Sequence, residues 1–231
     1  EQGHAKAQFN LGNLHRVGEV IPQNSELAAY WFIKSAEQGH MVAQFNMGVA
    51  YAHGEGAPKN ISAALNWYNK AAEQGHAKAE YQLGLMHKRG DGVPQSDEAA
   101  VIWFTKSAAQ DNASAQFNLG LMFDEGKGVI ENSKTAAHWY TLATQQGYAE
   151  AQLSLALMYE VGRGVPKNAP TALKLFALAA EQGVALAQYN MAVACETGEG
   201  AAKDLTLAFQ WYRQAAEQGH AQAQYNLGLF Y

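Results

Sequence analysis

Histidines recur in register along this chain: His4, His40, His76 and His220 are separated by 36 residues or multiples of 36, a ladder that invites a metal reading. Packed helices lie roughly 8–10 Å apart, whereas each imidazole nitrogen on one zinc ion must come within about 2.1 Å of it. Asn112, Tyr148 and Val184 fill the same phase, so the position does not demand an imidazole, and an ordinary turn or helix-start role is the better reading. Glycine pairs opening at Gly54, Gly90, Gly126, Gly162 and Gly198 suggest a phosphate cradle. They lack the preceding strand, the third glycine and the Lys-Ser/Thr ending that this chemistry needs, which leaves turn formation. Cys195 is the only cysteine, so no disulfide can form within the chain. A thiol nucleophile wants a matched histidine and an electropositive setting. Cys195 stands beside Glu196 in a phase held elsewhere by His15, Tyr51, His87, Phe123 and Tyr159, and reads as a packed thiol. With no HExxH, no carboxylate pair beside a base and no serine with a plausible histidine and acid, the chain offers no catalytic residue, metal site or cofactor site.

Side-chain amides give a more productive pattern. Asn10, Asn46, Gln82, Asn118, Ser154, Asn190 and Asn226 form one polar column. One residue earlier in each unit stand Phe9, Phe45, Tyr81, Phe117, Leu153, Tyr189 and Tyr225, and three residues later Asn13, Val49, Leu85, Leu121, Leu157, Val193 and Leu229. Residues spaced by three or four share a helical face, so amides interleave with aromatic and aliphatic groups. A carboxamide both donates and accepts, and can hold a peptide main chain without demanding a sequence. The same column could instead satisfy backbone groups of a neighbouring repeat. Charge adds a direction: Arg16, His53, Lys88 and Arg89 belong to the early units, and Asp124, Glu125, Glu160 and Glu196 to the later ones, a polarity able to orient a bound segment.

These columns exist because the whole chain repeats. The phrase EQGHAKAQFNLG at residues 1 to 12 returns at residues 37, 73 and 217, and in weaker form at 109, 145 and 181, with no insertion or deletion. A period of this kind marks a supersecondary unit that buries its apolar face only by stacking on its neighbours. Met41 to Ala52 has helical periodicity, with Ala43, Met47 and Ala50 on one face and Phe45 and Val49 adjoining it. The loop from His53 to Asn60 supplies glycines for a left-handed stop and a proline that cannot continue the helix. Asn24, Asn60, Ser96, Asn132, Asn168 and Asp204 then share one phase and are all good N-caps for a second helix. That helix carries Ala28, Ala64, Ala100, Ala136, Ala172 and Ala208 in phase. Trp31, Trp67, Trp103, Trp139 and Trp211 follow three residues later, with Leu175 as the exception, and then Phe32, Tyr68, Phe104, Tyr140, Phe176 and Tyr212. The tryptophans read as core knobs set against small residues, each worth about 3–5 kcal/mol on truncation. Gly39, Gly75, Gly147, Gly183 and Gly219 end the second helix, with Asp111 substituting once.

Composition bounds the rest. With 48% hydrophobic residues, 22 glycines mostly in phase and five prolines, the chain can bury a substantial core. The net charge of −5 is spread along the sequence without a basic cluster, so nucleic acid is not an expected partner. The apolar runs fall far short of the roughly 20 residues that span a bilayer, and no membrane insertion is expected. Glu1 begins within the end of one repeat and Tyr231 within a helix, which suggests an excerpt of a longer array.

The pattern A-x-A-Q-[FY]-N-L-G, then G-x-G-[VA]-P, then A-x-x-W-[FY]-x-K-[AS]-A-E-Q-G resembles the Sel-one-like repeat, a subclass of tetratricopeptide-like helical repeats. It is nearly whole in Ala77 to Gly84, Gly90 to Pro94 and Ala100 to Ala108. Departures are local: Val20 in a loop-glycine position, Ile130 and Ala202 for the proline, Ala156 and Ala192 for the glycine of the first helix. The resemblance implies an all-α, right-handed α/α solenoid over 1–231. Full repeats would span 5–40, 41–76, 77–112, 113–148, 149–184 and 185–220, with a partial one at 221–231. It further implies a concave surface, lined by the first helix of each repeat, that binds proteins or peptides, and it leans towards bacteria and the cell envelope or secretion. On that basis the candidate partner-binding residues are Asn10, Asn13, Arg16, Phe45, Asn46, Tyr81, Gln82, Lys88, Arg89, Phe117, Asn118, Tyr189 and Asn190. The expected function is a non-catalytic scaffold or adaptor. One alternative is a self-assembling spacer stacking through Leu227, Leu229 and Phe230. Another is a β-lactam-binding or -hydrolysing repeat enzyme, for which the paired cysteines and a Ser-x-x-Lys motif are absent.

Overall fold

The computed structural model describes residues 4–230, and among them it contains thirteen α-helices and no strand. Glu1 to Gly3, which open the first copy of the repeated phrase, and Tyr231 lie outside the described residues. The chain divides into two compact units, Glu1–Asn112 and Ala113–Tyr231, at a repeat junction. The first unit holds α1 (Ala5–Val17), α2 (Ser25–Glu37), α3 (Met41–His53), α4 (Ile61–Glu73), α5 (Ala77–Arg89) and α6 (Asp97–Ala108). The second holds α7 (Ala113–Glu125), α8 (Ser133–Gln145), α9 (Ala149–Val161), α10 (Ala169–Glu181), α11 (Ala185–Thr197), α12 (Leu205–Glu217) and α13 (Ala221–Gly228). Within each unit every helix packs on the next, so both are runs of α-helical hairpins in solenoid order. No described helix is long and apolar enough to cross a membrane.

Each hairpin is closed by its own loop chemistry. Gly54, Gly90, Gly162 and Gly198 take up φ values near +80°, and their amides return to the carbonyl four residues back. Asn60, Ser96 and their counterparts then cap the second helix through side-chain oxygens 2.9–3.1 Å from the third amide on. The cap residue's own N–H donates to the carbonyl nine residues earlier, as Asn60 to Tyr51 and Asp204 to Cys195, and so joins the two helices of a hairpin. Among the described residues Asp111 alone holds the left-handed stop without being glycine, at φ 60°. The strain a Cβ brings there is of the order of 1–2 kcal/mol.

The tryptophans are not the deepest residues of the core. That place belongs to the aromatic residue that follows each: Phe104, Tyr140 and Tyr212 are fully buried. Gly12, Gly48, Gly84 and Gly120 of the first helices make room for Phe32, Tyr68, Phe104 and Tyr140, since a Cβ at Gly84 would stand 2.6 Å from the Phe104 ring. The tryptophans instead bridge hairpins, all but Trp67 only partly buried: Trp67 packs on the cluster of Phe32 and Met47, and Trp103 on that of Tyr68 and Leu83. Their outer faces carry a lysine one turn on, Lys70 4.3 Å from the Trp67 ring and Lys106 4.4 Å from that of Trp103. Cys195 is buried within the cluster of Ala192 and Tyr212, as a packed thiol should be, and burial raises its pKa.

Candidate functional site

The repeated phrase divides its polar residues between two tasks. Its glutamine belongs to the architecture, a role that the sequence pattern did not reveal. Gln44, Gln116, Gln152 and Gln188 are buried at the starts of the first helices and accept from Gln74, Gln146, Gln182 and Gln218, thirty residues on, at 2.7–2.9 Å. Gln44 and Gln188 also donate to the carbonyls of Ala36 and Ala180 in the preceding helix, both at 3.2 Å. Gln44 and Gln188 thus each tie three helices together. The clue lay in plain view, because glutamine is kept in that phase of every copy except Glu80.

The histidines are structural as well. His40, His76 and His220 cap α3, α5 and α13, with Nδ1 accepting from Ala43, Ala79 and Ala223 at 3.2 Å. Each ring stacks on an aromatic of the previous first helix, His40 on Phe9, His76 on Phe45 and His220 on Tyr189, with centroids 4.6–4.7 Å apart. Burial lowers the pKa of His40 and His76, which suits neutral rings that accept through Nδ1.

The asparagine column differs in kind. Asn10, Asn46, Gln82 and Asn190 form no hydrogen bond with the described chain, and none of them is buried. Asn118 is buried and donates to the Ser114 carbonyl at 2.9 Å. Asn226 donates to the Tyr212 hydroxyl at 3.0 Å, and Ser154 lies beside Tyr140. The aromatic neighbours Phe45, Tyr81, Phe117 and Tyr189 are half-buried, each tilted against the deep ring of its hairpin at 5.8–6.0 Å.

Two cavities open on this face. In the first unit, Arg16, Phe32, Phe45, Asn46, Val49 and Glu55 line a space of about 210 Å³. In the second, Glu160, Lys167, Phe176, Asn190, Val193 and Glu199 line one of about 440 Å³. Asn10 and Asn13 share a separate, open depression with Leu14 and Val17. Tyr81, Gln82, Lys88 and Arg89 lie along α5 away from these cavities. The charge polarity is weaker than the sequence suggests, since two of the later acids are engaged: Arg163 pairs with Asp124 at 2.8 Å and Lys127 with Glu125 at 2.7 Å. Glu196 accepts from the Tyr212 hydroxyl at 2.6 Å.

Comparison with known proteins agrees with this geometry. The family model described as Sel1 repeat matches residues 5–40, 42–76, 77–112, 113–148, 149–184, 185–220 and 221–231. The chain is similar to a protective antigen of uropathogenic Escherichia coli that displays an SLR fold, at 36% identity and a TM-score of 0.91. That match covers 98% of this chain and 48% of the antigen, so the chain spans about half of its relative's length. It is also similar to a Sel1 repeat protein of Oxalobacter formigenes, at 34% identity and a TM-score of 0.81, over 92% of this chain and 85% of the other. An immunity protein of Pseudomonas aeruginosa, 22% identical with a TM-score of 0.55, shares the fold over 96% of this chain and 82% of its own. No curated protein matches the sequence.

Proposed function

We propose that this chain, which belongs to the Sel1 repeat family, is a non-catalytic scaffold that holds a partner protein or peptide against the row formed by the first helices of its repeats. Sel1 repeats are helical scaffolds that commonly serve protein interaction, and the finer reading for this chain rests on one observation. The ladder glutamines, the helix caps and the rings of His40, His76 and His220 are committed to intramolecular hydrogen bonds, whereas the side chains of Asn10, Asn46, Gln82 and Asn190 on the first-helix face are not. An uncommitted carboxamide between half-buried aromatic rings can pair with a main-chain N–H and C=O at once. In the first unit Arg16, Lys88 and Arg89 would contribute charge to the bound segment.

The test compares the wild-type chain with one carrying Asn10→Ala, Asn46→Ala and Gln82→Ala in affinity capture from bacterial lysate. These three are preferable to Asn118, whose side chain is buried and bonded within its helix. Substitution of exposed or half-exposed amides should leave the thermal transition nearly unchanged. A partner retained by the wild type and lost by the folded variant supports the reading. Equal capture by both would move the site off this face.

A further inference from the structure

We propose that the cavity beneath Phe176 is a binding site for a basic side chain, lysine or arginine, of a partner segment. The repeat itself supplies the argument. The deep aromatic position alternates along the chain, with Phe32, Phe104 and Phe176 in odd repeats and Tyr68, Tyr140 and Tyr212 in even ones. Where the residue is Tyr212, its hydroxyl fills a defined polar niche, donating to Glu196 at 2.6 Å and accepting from Asn226 at 3.0 Å. One repeat earlier the same two positions are Glu160 and Asn190, but the ring between them is Phe176. The niche persists without the group that would satisfy it: Asn190 forms no hydrogen bond, and Glu160, Phe176 and Asn190 all line the 440 Å³ cavity.

The missing group must donate to a carboxylate and accept or yield space beside an amide. A cationic tip does the first more strongly than a hydroxyl, because charge-assisted hydrogen bonds are about twice as strong as neutral ones. Charge favours it as well, with Glu160 and Glu199 against the single Lys167 in the lining. The walls of Ala172, Leu173 and Val193 suit an aliphatic stem, which long basic side chains bury while their heads stay polar. In the first unit Arg16 stands where Glu160 does, beside Phe32 and Asn46, so that cavity should refuse the same ligand. This inference rests on the interaction reading above, yet it is testable without any partner.

The probe is N-acetyl-arginine amide, with N-acetyl-citrulline amide as its neutral isostere, titrated into the full chain while methyl NMR signals are followed. Saturable shifts at Leu173, Val193 and Ala194, with Val49 unmoved, are expected. The citrulline probe should bind about tenfold more weakly, the ratio expected when a charged hydrogen bond becomes a neutral one. Glu160→Gln should weaken the arginine probe by a similar factor. Phe176→Tyr should abolish binding, because its hydroxyl would occupy the niche as Tyr212 occupies the next one. Both variants conserve shape, and a thermal melt verifies that they fold. Undiminished binding in either variant, shifts scattered over exposed carboxylates, or no saturable shift in the wild type would each overturn the site. Loss of partner capture on substitution of the amide column, with or without probe binding here, bears on the scaffold reading alone.

Discussion

Replacing Glu80 by glutamine should stabilise the chain at neutral pH. Glu80 is only 5% exposed and interrupts the buried amide ladder, accepting from Gln110 at 2.7 Å. In other copies the corresponding glutamine also donates to a carbonyl eight residues earlier, as Gln44 to Ala36 and Gln224 to Ala216. A carboxylate cannot make that second bond. Burial raises the Glu80 pKa, with the Gln110 bond and the Lys106 charge opposing the rise. Glu80→Gln keeps the acceptor for Gln110, removes a desolvated charge and adds one donor. A net hydrogen bond contributes about 1 kcal/mol, and a chain of this size shifts Tm by about 2–4 °C for each such increment. The pH dependence carries the sign. A carboxyl whose pKa is raised in the folded state binds more protons folded than unfolded, so wild-type stability falls as pH rises from about 4.5 through the folded pKa. The advantage of Glu80→Gln should therefore be greatest at pH 7 and shrink towards pH 4. Differential scanning calorimetry at both values measures it. A variant no more stable than wild type at pH 7, or an advantage that grows in acid, would refute this account of the ladder.

The other expectations concern caps and core. Asp111→Gly removes the Cβ from the one non-glycine left-handed stop and should raise stability by about 1 kcal/mol in denaturant unfolding. His40 and His76 have pKa values lowered by burial, so the unfolded chain takes up protons that the folded one resists. Stability should then drop as pH falls through about 6.5. Replacing both by asparagine, which caps without titrating, should flatten that part of the profile in Tm measurements between pH 7 and 5. Phe104→Ala should cost about 3–5 kcal/mol in urea unfolding. Trp103→Ala should cost less, because the Trp103 ring is only partly buried whereas that of Phe104 is wholly enclosed.

Much of this protein is decided locally, and local decisions are legible in residue types. The loop glycines, the Asn and Asp caps and the left-handed stops depend on a few neighbouring atoms, so the helix boundaries follow from the sequence to within a residue. Repetition in register adds the hairpin order, because each unit can bury its apolar face only against the next. What the sequence could not rank is depth and partnership. Tryptophan is larger than phenylalanine or tyrosine, yet the smaller ring sits deeper, because it is the one that lands on the small residue of the facing helix, a glycine against Phe32, Tyr68, Phe104 and Tyr140 and an alanine in the phase of Phe176 and Tyr212. Nor could spacing tell the glutamines, of which Gln44 and Gln188 each bridge three helices, from the amides two residues on, of which the side chains of Asn10, Asn46, Gln82 and Asn190 bond to nothing described. Both carry the same amide. Which amide finds a carbonyl depends on where an adjacent hairpin places its backbone, a distance that exists only after the hairpins have packed.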